Sequence, residues 1–161
     1  MHDWVEHQRP FFAVHEPRWQ PHSLNILLVE DDPTLRRAME MTFAHLGHVV
    51  VSATKAGDVA KLLEANAVDL VISDHRLPDG TSAEVMKTVK ALAPSVPAIV
   101  MSGHLDSEAK QAAKDQGFAA CITKPIDSGA STHRMPRAGQ AALRRAVRTR
   151  GDLLVRSGGG F

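Results

Sequence analysis

Cysteine and long apolar runs are almost missing from this chain. Cys121 is the single cysteine among 161 residues, which excludes an intramolecular disulfide and a metal site built from cysteines alone. No apolar stretch approaches the roughly 18 residues that span a bilayer, and the first residues lack the basic and then apolar segments of a signal peptide. We therefore expect a cytoplasmic protein that makes no membrane contact.

Charge is spread unevenly along the chain, although the net charge is only +1. Residues 24–127 carry ten Lys/Arg and 14 Asp/Glu, whereas residues 128–161 carry seven Arg and one Asp. The length is enough for one domain with about 30 to 40 residues to spare. We predict an acidic domain over 24–127 that is followed by a basic, Arg-rich tail over 128–161.

The two ends of the chain lack the periodicity of a packed domain. Residues 1–23 hold three of the nine prolines and four of the nine histidines, which favours a disordered extension. Trp4 and Trp19 leave open a segment that docks on a protein surface. In the tail a helical pattern returns near 137–150, where the arginines indicate a solvated face; nucleic-acid binding through them is the less favoured alternative.

Between these ends, short apolar strands alternate with amphipathic helices. Strands are predicted at 25–29, 48–52, 69–73, 97–101 and 119–123, and helices at 33–46, 56–66, 82–93 and 106–116. Such alternation is typical of a parallel sheet that helices cover on both faces. We predict a doubly wound, five-stranded parallel α/β fold with the flavodoxin-like order 2-1-3-4-5, in which ligands bind beyond the carboxyl ends of strands 1 and 3.

Polar side chains follow four of these strands at the point where each strand ends. They are Glu30 and Asp31 after the first strand, Asp74 after the third, Ser102 after the fourth and Lys124 after the fifth. Converging carboxylates repel one another, and a hard dication such as Mg²⁺ relieves the repulsion while keeping positions for phosphate oxygens. The set therefore predicts a site for Mg²⁺ and a phosphoryl group.

Asp74 is the candidate nucleophile, because it stands alone at the end of the central strand before a Pro/Gly loop. Attack by a carboxylate on phosphorus gives an aspartyl-phosphate, a known covalent intermediate whose formation needs mainly alignment and charge neutralisation. Lys124 can neutralise one phosphoryl oxygen, and Ser102 can donate a hydrogen bond to another. Asp32, in contrast, is assigned to capping the first helix.

Four sequence strings together resemble the CheY-like receiver domain of two-component response regulators. They are ILLVEDD at 26–32, DLVISDHRLPDG at 69–80, PAIVMSG at 97–103 and GFAACITKP at 117–125. The resemblance implies that Asp74 is the phosphoacceptor and that Mg²⁺ is held by Glu30, Asp31, Asp74 and the backbone carbonyl of Arg76. It also implies a sensor histidine kinase or phosphotransfer protein as phosphoryl donor and a downstream protein partner that reads the result.

The same resemblance implies roles for residues around the phosphoacceptor. Ser102 matches the switch hydroxyl that moves toward the phosphoryl group, and Lys124 matches the lysine that contacts it. Arg76 and His104, two residues after Asp74 and Ser102, match the positions that tune dephosphorylation. The chain is then expected to be a phosphorylation-dependent signalling switch and not an enzyme, either alone or as the receiver of a hybrid kinase.

Two departures from the family pattern leave alternatives open. Cys121 stands where receivers usually have the switch tyrosine or phenylalanine. Residues 127–136 do not look helical, so the final helix is expected to be atypical or displaced. A degenerate receiver that acts as a protein or nucleic-acid binding module is one alternative. A Mg²⁺-dependent phosphohydrolase is another, although Arg76 occupies the position where such an enzyme would need a second acid.

Overall fold

A five-stranded parallel sheet organises the structure. The computed structural model of the chain describes residues 23–104 and 106–124. Its strands are β1 (Asn25–Val29), β2 (Val49–Ala53), β3 (Leu70–Asp74), β4 (Arg76–Leu77), β5 (Gly80–Thr81), β6 (Ala98–Ser102) and β7 (Ala120–Thr123). Its helices are α1 (Pro33–His45), α2 (Val59–Ala65) after a 3₁₀ turn at Ala56–Asp58, α3 (Ser82–Leu92) and α4 (Ser107–Gln116).

The strand order confirms the predicted doubly wound topology. The parallel strands lie in the order β2-β1-β3-β6-β7, which is 2-1-3-4-5 when the short antiparallel β4–β5 pair is left out. The sequence pattern does not predict that pair, because two residues per strand are too few to show an alternation. The register pairs Val29 with Ser73, Asp74 with Met101 and Ser102 with Thr123, so the carboxyl ends of these strands lie at one edge of the sheet.

Apolar side chains on both faces of the sheet form two core layers. On one face, Ile72 belongs to the same layer as Met39 and Phe43 of α1. On the other face, Val71 belongs to the same layer as Val85 of α3. The central strand β3 therefore buries successive residues on opposite faces, which explains why it shows an unbroken apolar run instead of an apolar–polar alternation.

Side-chain caps hold the helix starts that the sequence predicts. Oδ1 of Asp32 accepts the N–H groups of Thr34 at 2.8 Å and Leu35 at 3.0 Å, which confirms its assignment as the cap of α1. The same two hydrogen bonds lower the pKa of Asp32, because they stabilise its charged form. At α3, Thr81 and Glu84 form a reciprocal capping box.

Gly117 ends α4 in the left-handed region, with a φ of +99°. A Cβ at this position would lie 2.9 Å from Cε of Lys90. Gly117→Ala is therefore expected to lower the free energy of unfolding by about 1–2 kcal/mol, measured by urea unfolding. Gly103→Ala is the matched control, because Gly103 has no positive φ and an added Cβ there meets no atom within 4 Å. Equal stabilities of the two variants would contradict the prediction.

Some predicted segments lie outside the described residues. They are nearly all of the extension at 1–23, the atypical final helix, and the tail at 128–161 with its helix near 137–150. Of the helices within the described ranges, none is long and apolar enough to cross a membrane.

Candidate functional site

The carboxyl edge of the sheet brings four charged side chains together. One carboxylate oxygen from each of Glu30, Asp31 and Asp74 lies within 4.8 Å of the others. Nζ of Lys124 lies 2.9 Å from Oε2 of Glu30 and 3.0 Å from Oδ2 of Asp74. The parallel register is the cause, because the two acids that follow β1 lie beside the end of β3. Residues from three separate segments of the sequence therefore share one site.

Exposure differs among the three carboxylates. Glu30 is fully buried, Asp74 is partly buried and Asp31 is exposed. Both carboxylate oxygens of Glu30 have partners, since Oε1 accepts the N–H of Asp32 at 3.2 Å and Oε2 accepts a hydrogen bond from Lys124. Glu30 thus forms the floor of the site, whereas Asp31 and Asp74 face the side from which a ligand would enter.

Burial and ion pairing control the protonation of the site. Burial raises the pKa of Glu30 above its ordinary value of 4.5, and the hydrogen bond from Lys124 offsets only part of this effect. Burial also opposes the charge on Lys124, yet hydrogen bonds to Glu30 and Asp74 raise the pKa of the lysine overall. Lys124 is therefore charged at neutral pH and neutralises part of the negative charge around it.

The donor set fits a hard divalent cation. Glu30, Asp31 and Asp74 offer oxygen atoms only, and Mg²⁺ prefers a few carboxylate oxygens together with water and phosphate oxygens. Among the residues that the structure describes, these three form the one group of three or more His, Cys, Asp or Glu side chains spaced to hold a metal ion. The exposed side of the site leaves positions for the remaining ligands.

Ser102 lies at the same edge, but its hydroxyl is engaged elsewhere. Oγ donates to the backbone carbonyl of His104 at 2.9 Å and accepts the His104 N–H at 3.3 Å. The two residues also line a cavity of about 180 Å³ between β6 and α4. To reach a phosphoryl group on Asp74, the hydroxyl of Ser102 would have to leave the carbonyl of His104.

Arg76 and Cys121 occupy the two other positions that the sequence singles out. Arg76 is exposed in β4, two residues after Asp74, where it pairs with Thr81 of β5. Cys121 is partly buried in β7 opposite Val100 and packs against the core layer on the α3 side. Burial raises the pKa of the Cys121 thiol, which favours the inert thiol over the reactive thiolate.

Two contacts of the site are not predicted by the sequence pattern. Nη1 of Arg36 donates to the backbone carbonyls of Glu30 at 3.0 Å and Asp31 at 3.2 Å, which holds the acidic loop in place. The only indication of this contact in the sequence is a basic residue, Arg36, in the first turn of the helix that follows the two acids. The ion pair between Lys124 and Glu30 joins residues 94 positions apart, and no local pattern indicates such a pairing.

Comparisons with known proteins identify relatives of this chain. The response regulator receiver domain family matches residues 26–135. The transcriptional regulatory protein GlrR of Escherichia coli (strain K12) is 29% identical over 139 residues, which cover 82% of this chain and 31% of that protein. The DNA-binding transcriptional regulator NtrC of Proteus hauseri is 32% identical over 103 residues, which cover 64% of this chain and 22% of that protein.

A solved structure shows the same fold. The crystal structure of a CheY-like response regulator receiver domain protein from Methanospirillum hungatei JF-1 is 22% identical, with a TM-score of 0.67, and the match covers 81% of this chain and 99% of that one. The chain spans less than a third of the length of GlrR and NtrC. Since the family match extends over about two thirds of the sequence, the chain belongs to the response regulator receiver domain family of two-component signalling.

Proposed function

We propose that Asp74 accepts a phosphoryl group, in the cytoplasm, from a sensor histidine kinase or a phosphotransfer protein. Residues 24–127 are the receiver unit that this modification switches, and the family match over 26–135 supports that unit. One observation carries the proposal: three carboxylates lie within 4.8 Å of one another, and Nζ of Lys124 lies 3.0 Å from Oδ2 of Asp74. Such a set can align and neutralise a phosphoryl group.

The proposed reaction moves one phosphoryl group between two side chains. A carboxylate oxygen of Asp74 attacks phosphorus, the bond from phosphorus to the donor's imidazole nitrogen breaks, and the imidazole takes up a proton from solvent. We assign the Mg²⁺ ligands to Glu30, Asp31, Asp74 and the backbone carbonyl of Arg76. When bound, Mg²⁺ supplies positive charge to the phosphoryl oxygens. Lys124 supplies a second positive charge from the floor of the site.

Ser102 and Lys124 are the residues that respond to the new charge. The hydroxyl of Ser102 exchanges the carbonyl of His104 for a phosphoryl oxygen, which alters the loop that leads into α4. Arg76 and His104 are exposed beside the site, and they control the approach of the water that removes the phosphoryl group. Cys121 has no aromatic ring that could couple Ser102 to the protein surface by rotating. We assign the surface that a downstream protein reads to α4 and β7.

Labelling with a small phosphodonor tests this function. Wild-type protein incubated with Mg²⁺ and acetyl phosphate is expected to gain acid-stable, base-labile phosphate on Asp74, and EDTA should prevent the labelling. Asp74→Asn should remain unlabelled, whereas the matched control Asp115→Asn, an exposed position on α4, should be labelled like wild type. Folded protein without an adduct would favour a degenerate binding module. Continuous turnover of many phosphate esters would favour a phosphohydrolase.

A further inference from the structure

The exposed carboxylate of Asp79 connects the loop after Asp74 to the segment that precedes α2 through two hydrogen bonds. Oδ1 of Asp79 accepts the N–H of Ala56 at 2.8 Å, and Oδ2 accepts the N–H of Gly57 at 2.8 Å. These amides open the 3₁₀ turn, 22 and 23 positions earlier in the chain. The hydrogen bonds from Gly57 and Ala56 hold the pKa of Asp79 below its ordinary value of 3.8.

Asp79 lies at the tip of the short β4–β5 hairpin, whose residue Leu77 is buried in the core layer on the α3 side. At the base of the hairpin, the N–H of His75 donates to the carbonyl of Met101 at 2.8 Å. Between base and tip the ladder consists of two residue pairs, one of which contains Arg76. A two-stranded ladder is marginally stable in isolation, so the burial of Leu77 and the contacts at the two ends of the hairpin hold it in position.

We propose that Asp79 is a positioning residue for the cation site. By fixing the hairpin tip against the 3₁₀ turn, it fixes the backbone of Arg76, whose carbonyl is assigned above as a cation ligand; the inference therefore rests on the proposed function. Asp79 is not a member of the carboxylate group that could hold the ion. Its effect is exerted through the position of the hairpin backbone, as is common for groups that orient metal ligands.

Titration of the full-length chain with Mn²⁺, followed by the electron paramagnetic resonance signal of the free ion, tests this role. Asp79→Asn is expected to raise the Kd for Mn²⁺ by about tenfold, because the amide offers one acceptor oxygen to two N–H groups. Labelling of Asp74 by acetyl phosphate should then need more Mg²⁺ and recover its wild-type rate at saturation. The matched control is Asp58→Asn, which removes a charge from the same turn, where Asp58 makes no capping hydrogen bond.

A general loss of stability must be separated from a loss of positioning. Val89→Ala removes part of a buried core residue of α3 and should destabilise the protein without weakening Mn²⁺ binding. The inference is overturned if Asp79→Asn binds Mn²⁺ like wild type, or if Asp58→Asn or Val89→Ala weakens binding equally. If the wild-type protein does not bind Mn²⁺, the proposed function is contradicted as well. If the wild type binds Mn²⁺ and Asp79→Asn binds it equally well, only the role of Asp79 is contradicted, so the two failures are distinguishable.

Discussion

Lys124→Met is expected to lower the free energy of unfolding by about 3 kcal/mol at neutral pH. The ammonium group of Lys124 lies 2.9 Å from the carboxylate of Glu30, which is fully buried, and 3.0 Å from the carboxylate of Asp74, which is partly buried. Methionine has a similar length but leaves Glu30 buried without its charged partner, and breaking a buried ion pair is more costly than replacing both partners. The lysine side chain is 22% exposed, which keeps the expected loss at the lower end of the range for buried pairs.

Acidification is expected to reduce the loss of unfolding free energy that Lys124→Met causes. Burial raises the pKa of Glu30 and Lys124 lowers it, so removal of Lys124 raises the pKa further. The pKa of Glu30 is higher in the folded protein than its unfolded value of 4.5. Such a group stabilises the folded protein at pH values below 4.5, and this stabilisation is lost as the pH rises through the folded pKa. The stability difference between variant and wild type should therefore shrink as the pH falls from 7 toward 4.5.

Urea unfolding of both proteins across that pH range measures the difference. Lys114→Met is the matched control, because Lys114 is exposed on α4 and its replacement should change stability little at any pH. Removal of the positive charge should also tighten Mg²⁺ binding while slowing the labelling of Asp74, since Lys124 repels the cation but attracts the phosphoryl group. A loss of stability that is independent of pH would contradict the role given to Glu30.

Ile72→Ala is expected to lower the free energy of unfolding by about 4 kcal/mol. Ile72 is fully buried in the central strand β3, where it shares a core layer with Met39 and Phe43 of α1. Truncation removes favourable burial and leaves a cavity that the neighbouring strands cannot close. A loss of this size is a large part of the 5–15 kcal/mol that typically stabilises a domain of this kind.

The control for this prediction lies on the edge of the same sheet. Val49 begins β2 and is 54% exposed, so Val49→Ala should change the free energy of unfolding by less than about 0.5 kcal/mol. Chemical denaturation of both variants gives the comparison. Similar losses in the two would show that β3 is not the centre of the core.

Most element positions follow from local pattern. The strand predicted at 25–29 is Asn25–Val29, and the helix predicted at 82–93 is Ser82–Leu92, because apolar periodicity and the capping box at Thr81 act over a few neighbouring residues. The helix predicted at 56–66 begins as a 3₁₀ turn instead. Its first amides are held by a side chain from a distant loop, and that contact has no counterpart in the local pattern.

The sequence by itself determined which side chains arrive at the carboxyl edge of the sheet, because strand ends and helix caps are set by neighbouring residues. It thereby indicated Glu30, Asp31 and Asp74 as one acidic group. Only the tertiary structure decided that Lys124 binds the buried Glu30 and that Ser102 is engaged with the His104 backbone. These contacts depend on strand register and loop conformation, which arise when separate segments pack together.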